Sequence, residues 1–212
     1  MSSGSSCSTG AIFYKDGNYF ISTAGHCFGI AETSATRGAL VRQYSTNIGR
    51  QHADGRGRGL DIGLVRITTD STLTGGRYAT NKLKRYNSVN TYDASITSLS
   101  NVYTGQYACK SGITSDYTCG AVTNANTTVK YPEQTYTFNI AKVAGTDWSL
   151  PGDSGAGVYN SSGSTATYLG NVSGNYKING VVQGGYITKF RDVADSYGVS
   201  LYISNTIYKV VN

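Results

Sequence analysis

Charge is scarce in this chain of 212 residues: Asp, Glu, Lys and Arg together make up only 14%. That is little for a cytosolic helical protein, and with abundant Gly, Ser, Thr and Tyr it fits a secreted all-β protein better. No stretch is long and apolar enough to cross a membrane, so no membrane partner is expected. No Cys-x-x-Cys occurs among the four cysteines, so neither spacing resembles a zinc site, and no metal or cofactor is expected. Only two histidines are present, His26 and His52. Met1–Ser6 is Ser/Gly-rich and lacks the apolar core of a signal peptide.

The formal net charge is +6. A basic balance alone can mean nucleic acid, an anionic surface or nothing specific. The run Gly55-Arg56-Gly57-Arg58-Gly59 superficially resembles an RNA-binding segment, but it is short and has no aromatic neighbours. It reads as a solvated loop, and no nucleic-acid partner is expected. Hydrophobic residues are 39%, enough for a core at this size.

The chemistry is concentrated in three stretches. Pro151-Gly152-Asp153-Ser154-Gly155-Ala156-Gly157 sets one serine in a tight turn. Gly152 has no side chain, so a substrate carbonyl can approach its N–H closely. The N–H groups of Gly152 and Ser154 can then converge on one developing oxyanion. Asp153 between them needs a buried partner. In the second stretch a β-rich segment, Tyr19-Phe20-Ile21, runs into Ser22-Thr23-Ala24-Gly25-His26-Cys27. In the third, Asp61 opens the apolar run Ile62-Gly63-Leu64-Val65, which reads as a buried strand.

Short strands punctuated by turn residues argue for a sandwich or barrel rather than for alternating strands and helices. Ala11–Tyr14 and Tyr19–Ala24 flank Asp16-Gly17, a strong hairpin signal. Further strands are read at Leu40–Tyr44, Ser95-Ile96, Gln106–Lys110, Tyr117–Val122, Thr127–Tyr131 and Thr135–Ile140. Residues 45–60 read as a polar loop with an exposed His52, and Thr68–Thr91 as a passage between two halves. Phe190, Val193, Ala194 and Tyr197 share one face of a helix near 188–197, stopped by Gly198.

Thr-Ala-Gly-His-Cys, Asp-Ile-Gly-Leu-Val and Gly-Asp-Ser-Gly, in that order, resemble the chymotrypsin-fold serine proteases. Cys109-Lys110-Ser111-Gly112 through Cys119-Gly120, and Ser196-Tyr197-Gly198-Val199-Ser200-Leu201-Tyr202, resemble the bacterial branch of streptogrisins and α-lytic protease. The likeness runs from Cys7 to Tyr202. It implies two antiparallel six-stranded β-barrels with the active site in the cleft between them and a short C-terminal helix. Residues 1–90 would form the barrel carrying His26 and Asp61. Residues 91–212 would form the barrel carrying Ser154 and the specificity pocket.

The resemblance implies a secreted, extracellular, monomeric endopeptidase acting on polypeptides through an acyl-enzyme. Ser154 would be the nucleophile, His26 its base, and Asp61 the partner that orients the imidazole. Gly152 and Ser154 would form the oxyanion hole. Four cysteines allow three pairings; the resemblance implies Cys7–Cys27 and Cys109–Cys119, hence an oxidising compartment. Relatives are made with a signal and a prosegment, neither of which is expected within this chain. In the bacterial branch an arginine pairs with the aspartate of the oxyanion turn; Lys110 stands at that position, facing Asp153.

Substrate-binding residues carried over are Ser173, Gly174 and Asn175 on one wall and Trp148, Ser149, Leu150 and Pro151 on the other. Asn175 departs from the usual glycine. Trp148 and Asn179 stand where relatives have a third disulfide, and Trp148 fills that space by packing or is simply core. The default expectation is cleavage after apolar or aromatic residues. Asp147 keeps open a trypsin-like alternative for Lys and Arg, and Val172, where glutamate-specific relatives carry histidine, argues against Glu. The remaining alternative is a catalytically silent homologue serving as a binding module.

Overall fold

The computed structural model describes residues 6–29, 38–43, 45–68, 77–86, 90–132 and 135–210. Asp16 and Gly17 both take positive φ, 48° and 74°, the twist that joins antiparallel strands through two residues. They connect β1 (Ile12–Lys15) to β2 (Asn18–Thr23). There follow β3 (Leu40–Gln43), β4 (Thr46–Asp54), β5 (Gly63–Arg66), β6 (Tyr78–Ala79), β7 (Lys82–Leu83) and β8 (Ala94–Leu99). Next come β9 (Tyr107–Gly112), β10 (Asp116–Val129), β11 (Phe138–Ala144), β12 (Gly157–Ser162), β13 (Thr165–Ile178) and β14 (Val181–Lys189). The chain ends through α1 (Phe190–Tyr197), β15 (Ser200–Leu201) and β16 (Tyr208–Lys209).

One sheet runs β15-β1-β2-β5-β4-β3 and a second β12-β9-β10-β11-β14-β13-β8-β7; β16 pairs with β6. This corrects the expectation of two six-stranded antiparallel barrels. The first sheet has six strands, but among the described residues its end strands β15 and β3 do not pair with each other. The second has eight strands, and these do not close into a barrel of eight. β12 turns back onto β13, while β8 and β7 extend the sheet beyond that contact. β8 also runs parallel to β13, so the sheet is not wholly antiparallel. Parallel partners need no hairpin between them, so nothing local in Ala94–Leu99 announces its partner Thr165–Tyr168.

Two further expectations change. Most of the polar stretch 45–60 is strand: β4 pairs with β3 and β5 and buries Ile48, Gly49, Gln51, Ala53 and Asp54. Polar side chains hid its strand character, because sheet pairing rather than apolar alternation holds it. The strands read at Tyr117–Val122 and Thr127–Tyr131 merge into the single strand β10, which has register irregularities between Val122 and Thr127 and ends at Val129, before Lys130 and Tyr131. Tyr44, and residues 69–76 and 87–89 of the expected passage, lie outside the described residues.

Helix α1 ends where Gly198 takes φ 63° and donates its N–H to the Ala194 carbonyl at 2.7 Å, a left-handed cap suited to glycine. Its buried Phe190 packs edge-on against Phe13 (5.0 Å between centroids) and Tyr168 (5.8 Å). Phe13 belongs to the first sheet and Tyr168 to the second, so one apolar cluster welds the two sheets together. A second cluster lies within the larger sheet, around Trp148, Val158, Val172 and Ile187. Among the described residues no helix is long and apolar enough to cross a membrane.

Candidate active site

His26 sits in a single 3-10 turn, Gly25–Phe28, where β2 ends. Asp61 stands just before β5, the neighbour of β2 in the sheet, and is fully buried. Strand pairing thus brings the two together. The Asp61 carboxylate accepts the His26 backbone N–H at 2.9 Å on Oδ1, and its Oδ2 lies 2.8 Å from His26 Nδ1. Ser173, on β13 of the other sheet, donates its hydroxyl to the same Oδ2 at 2.6 Å. Thr188 donates to the Asp61 carbonyl at 3.1 Å. With Nδ1 engaged, Nε2 is the nitrogen left to exchange a proton, and the His26 side chain is 28% exposed. Burial pushes the imidazole pKa down, but the bond to Asp61 and its charge push it further up, so it sits above the usual 6.5.

Beneath the histidine lies a buried pair that the sequence reading missed. Arg56 was expected in a solvated loop; instead it is 2% exposed and pairs with Asp54 through Nε at 2.9 Å. Its Nη1 donates to the Gly29 carbonyl at 2.8 Å, which ties the histidine turn to this loop. A cation two residues after an aspartate was the available signal. Arg58 does face solvent, stacked over the Tyr197 ring.

The turn that carries Ser154 is held from several sides. Gly152 has φ 106°, a region closed to side chains, and a Cβ there would collide with the Thr114 hydroxyl. The Ser8 hydroxyl donates to the Gly152 carbonyl at 2.9 Å, and the Ser8 N–H to the Ser154 carbonyl at 2.8 Å. Cys27 Sγ lies 3.8 Å from that Ser154 carbonyl oxygen, so Ser154 is beside the histidine turn. Asp153 is fully buried and accepts N–H groups from Thr114 (2.9 Å) and Leu150 (2.9 Å). Lys110 Nζ lies 3.2 Å from its Oδ2. Burial raises the Asp153 pKa, yet the Ser115 hydroxyl, the Leu150 N–H and the Lys110 charge together hold it below 3.8.

Cys7 is bonded to Cys27 and Cys109 to Cys119. Among the described residues, the one His/Cys/Asp/Glu group compact enough to hold a metal is Cys7, His26 and Cys27. Its sulfurs are already joined in a disulfide, so it offers no thiolate ligands.

Of the expected substrate walls, Trp148, Ser149 and Ser173 are closed to solvent. Ser149 is 1% exposed, and its hydroxyl has no hydrogen-bond partner among the described residues. Val172 and Ser173 are fully buried; Gly174 and Asn175 are half-buried. Asn175 Nδ2 reaches the Ser149 carbonyl at 3.4 Å. Leu150 is half-buried, and Pro151 is exposed, its carbonyl accepting the Thr114 hydroxyl. Asn179 is at the exposed tip of the β13–β14 hairpin with φ 51°, distant from any role as a crosslink. Tyr131, not anticipated, places its hydroxyl 3.0 Å from Ser173 Oγ. His52 is exposed and rests on Phe20.

No family model matches the chain. Glutamyl endopeptidase 2 of Streptomyces griseus is 31% identical over 210 residues, covering 94% of this chain and 95% of the relative. The crystal structure of Thermobifida fusca Protease A superposes with a TM-score of 0.70 at 25% identity, covering 93% of this chain and 92% of the other. A glutamic acid specific serine protease, described as using a novel histidine triad in substrate binding, superposes at 0.67 with 28% identity over 92% and 93% of the two chains.

These findings overturn the expected substrate preference. Two of the similar enzymes are named for glutamate, neither for apolar or aromatic residues nor for Lys and Arg. The structure gives a physical reason against the basic alternative too. Asp147 is exposed, so it does not form the floor of a pocket.

Proposed function

As the chain belongs to the chymotrypsin-fold bacterial serine proteases, in the branch of the streptogrisins and glutamyl endopeptidases, we propose that Ser154 is the nucleophile with which it hydrolyses polypeptides. The protein is a serine endopeptidase with a His-Asp-Ser triad, and it is secreted, in keeping with its two disulfides. The observation that carries the reading is the Asp61–His26 pair, braced by Ser173, beside the turn of Ser154.

On this reading His26 Nε2 takes the Ser154 hydroxyl proton as Oγ attacks the scissile carbonyl. The N–H groups of Gly152 and Ser154 receive the oxyanion. Asp61 holds the Nδ1–H tautomer and stabilises the imidazolium. His26 then gives its proton to the leaving amine, and water, activated by the same imidazole, hydrolyses the ester on Ser154. Ser173, through its carbonyl, receives a substrate N–H. Residues 1–90 supply His26 and Asp61 and residues 91–212 supply Ser154, so one chain carries the whole triad, and on this reading it acts as a monomer.

A second reading of the substrate, cleavage after glutamate, is favoured by the two glutamate-directed relatives. It would need donors other than a histidine triad, because this chain has only His26 and His52. The candidates are the Ser149 hydroxyl and the Asn175 amide.

The test is labelling with a fluorophosphonate, followed by peptide mapping. Label on Ser154, lost in Ser154→Ala, is the expected result. A folded protein that takes no label would overturn the reading in favour of a silent binding homologue.

A further inference from the structure

Trp148 lies on the segment that leads into the Ser154 turn, and it is 1% exposed. Its indole points inward. Nε1–H donates to the Ala108 carbonyl of β9 at 2.9 Å. The ring joins the cluster of Val143, Val158, Val172 and Ile187, which belong to β11, β12, β13 and β14. It also lies across Gly185 of β14: a Cβ on that glycine would overlap Cε3 and come within 2.6 Å of Cζ3. Gly185 is paired with Asn175, the outer residue of the Ser173–Asn175 wall. The indole therefore occupies the space between that wall and its own segment, Trp148–Pro151.

From these contacts, and resting on the serine-protease reading above, we propose that the Trp148 indole fills the specificity pocket from within. The enzyme then cleaves after residues with the smallest side chains, glycine, alanine and serine, and the glutamate cleavage suggested by the relatives becomes the rival outcome of the test. A substrate lying along Ser173 and Gly174, with its carbonyl in the Gly152–Ser154 turn, directs the side chain before the scissile bond between the two walls. There Asn175 already bridges to the Ser149 carbonyl, and the wall residues Ser149 and Ser173 have almost no contact with solvent. Protein interiors are close-packed, so a second large side chain has no volume to enter.

The indole is not poised to swing away. The Trp148 N–H donates to Gly145 at 3.1 Å, and the Trp148 carbonyl accepts the Thr118 hydroxyl at 2.8 Å. Displacing the ring would also strand its N–H in an apolar cluster.

The test is a peptide series identical except before the scissile bond, with Ala, Phe, Glu or Lys at that place. For the wild-type enzyme kcat/KM is expected to be more than about two hundredfold higher for Ala than for Phe, Glu or Lys, beyond the range that one methylene commands. In Trp148→Ala the ratio of Phe to Ala rates should rise at least about tenfold as the pocket opens. Should that variant fail to fold, the wild-type series decides alone. Wild-type cleavage after Phe, Glu or Lys as fast as after Ala would overturn the proposal. Fluorophosphonate labelling separates the two readings: a labelled enzyme that cuts after large residues refutes only the filled pocket, whereas an unlabelled, inert protein refutes the protease reading as well.

Discussion

Lys110 Nζ lies 3.2 Å from Asp153 Oδ2, and neither side chain touches solvent. The same ammonium donates to the Ser115 hydroxyl and to the Asp116 carbonyl, so its three protons are all engaged. Asp153 separates Gly152 from Ser154, so this buried pair is the mount for the turn. Lysine offers a point charge where arginine would offer a planar fork. Burial lowers the Lys110 pKa, and the Asp153 charge only partly restores it.

Lys110→Met leaves Asp153 as an unpaired buried carboxylate. It is expected to cost about 3–5 kcal/mol of stability and to cut kcat with it. Lys110→Arg keeps the charge and should lose less of both. Thermal midpoints and kcat on one peptide substrate check this; a Lys110→Met enzyme with both values at wild-type level would refute it.

Ser154→Ala and His26→Ala should each lower kcat by several orders of magnitude with KM little changed, because triad members act as a unit. Steady-state kinetics is the check. A Ser154→Ala enzyme retaining about a tenth of wild-type kcat would remove Ser154 from the nucleophile role, given the scale of such losses.

The raised His26 pKa has opposite consequences for activity and stability. The base must be neutral, so kcat/KM is expected to fall as pH drops through a value above 6.5. The protonated His26–Asp61 pair stabilises the fold fully below the unfolded value of 6.5, and that contribution is lost as pH rises through the folded value. Asp61→Asn removes the charge that does most to raise it, so the activity midpoint should move down. Rate profiles and thermal midpoints from about pH 5 to about pH 9 would reveal both trends.

The two disulfides should differ in what they protect. Cys7–Cys27 closes a separation of 20 residues and anchors the segment whose Ser8 holds the Gly152 and Ser154 carbonyls. Cys109–Cys119 closes 10 residues and joins directly paired positions of β9 and β10. Replacing both cysteines of either pair by serine should cost about 2–4 kcal/mol. Only loss of Cys7–Cys27 should also lower kcat/KM strongly. Equal kinetic losses from the two double variants would argue against this division.

Features with local causes were legible in the sequence. Asp16-Gly17 announced a hairpin because its two residues tolerate positive φ, and the spacing of Phe190 and Val193 announced α1. The motifs around His26, Asp61 and Ser154 marked candidate chemistry, because a glycine-framed serine and a strand-end aspartate are local arrangements. The strand β4 was not legible, since its polar residues Thr46, Asn47, Arg50 and Gln51 carry no apolar alternation, and only its partners β3 and β5 make it a strand.

What the sequence by itself determined, then, was the local motifs around His26, Asp61 and Ser154, the residues proposed to react, and the turns that present them. Tertiary structure alone decided that Arg56 is buried against Asp54 and that β8 lies parallel to β13. It also decided that eight strands rather than six share a sheet, and that the Trp148 indole turns inward over Gly185. The physical reason is range. A turn or a helix face is set by dihedral preferences of adjacent residues, whereas burial of a charge, strand partnership and the direction of an indole depend on atoms supplied by distant parts of the chain.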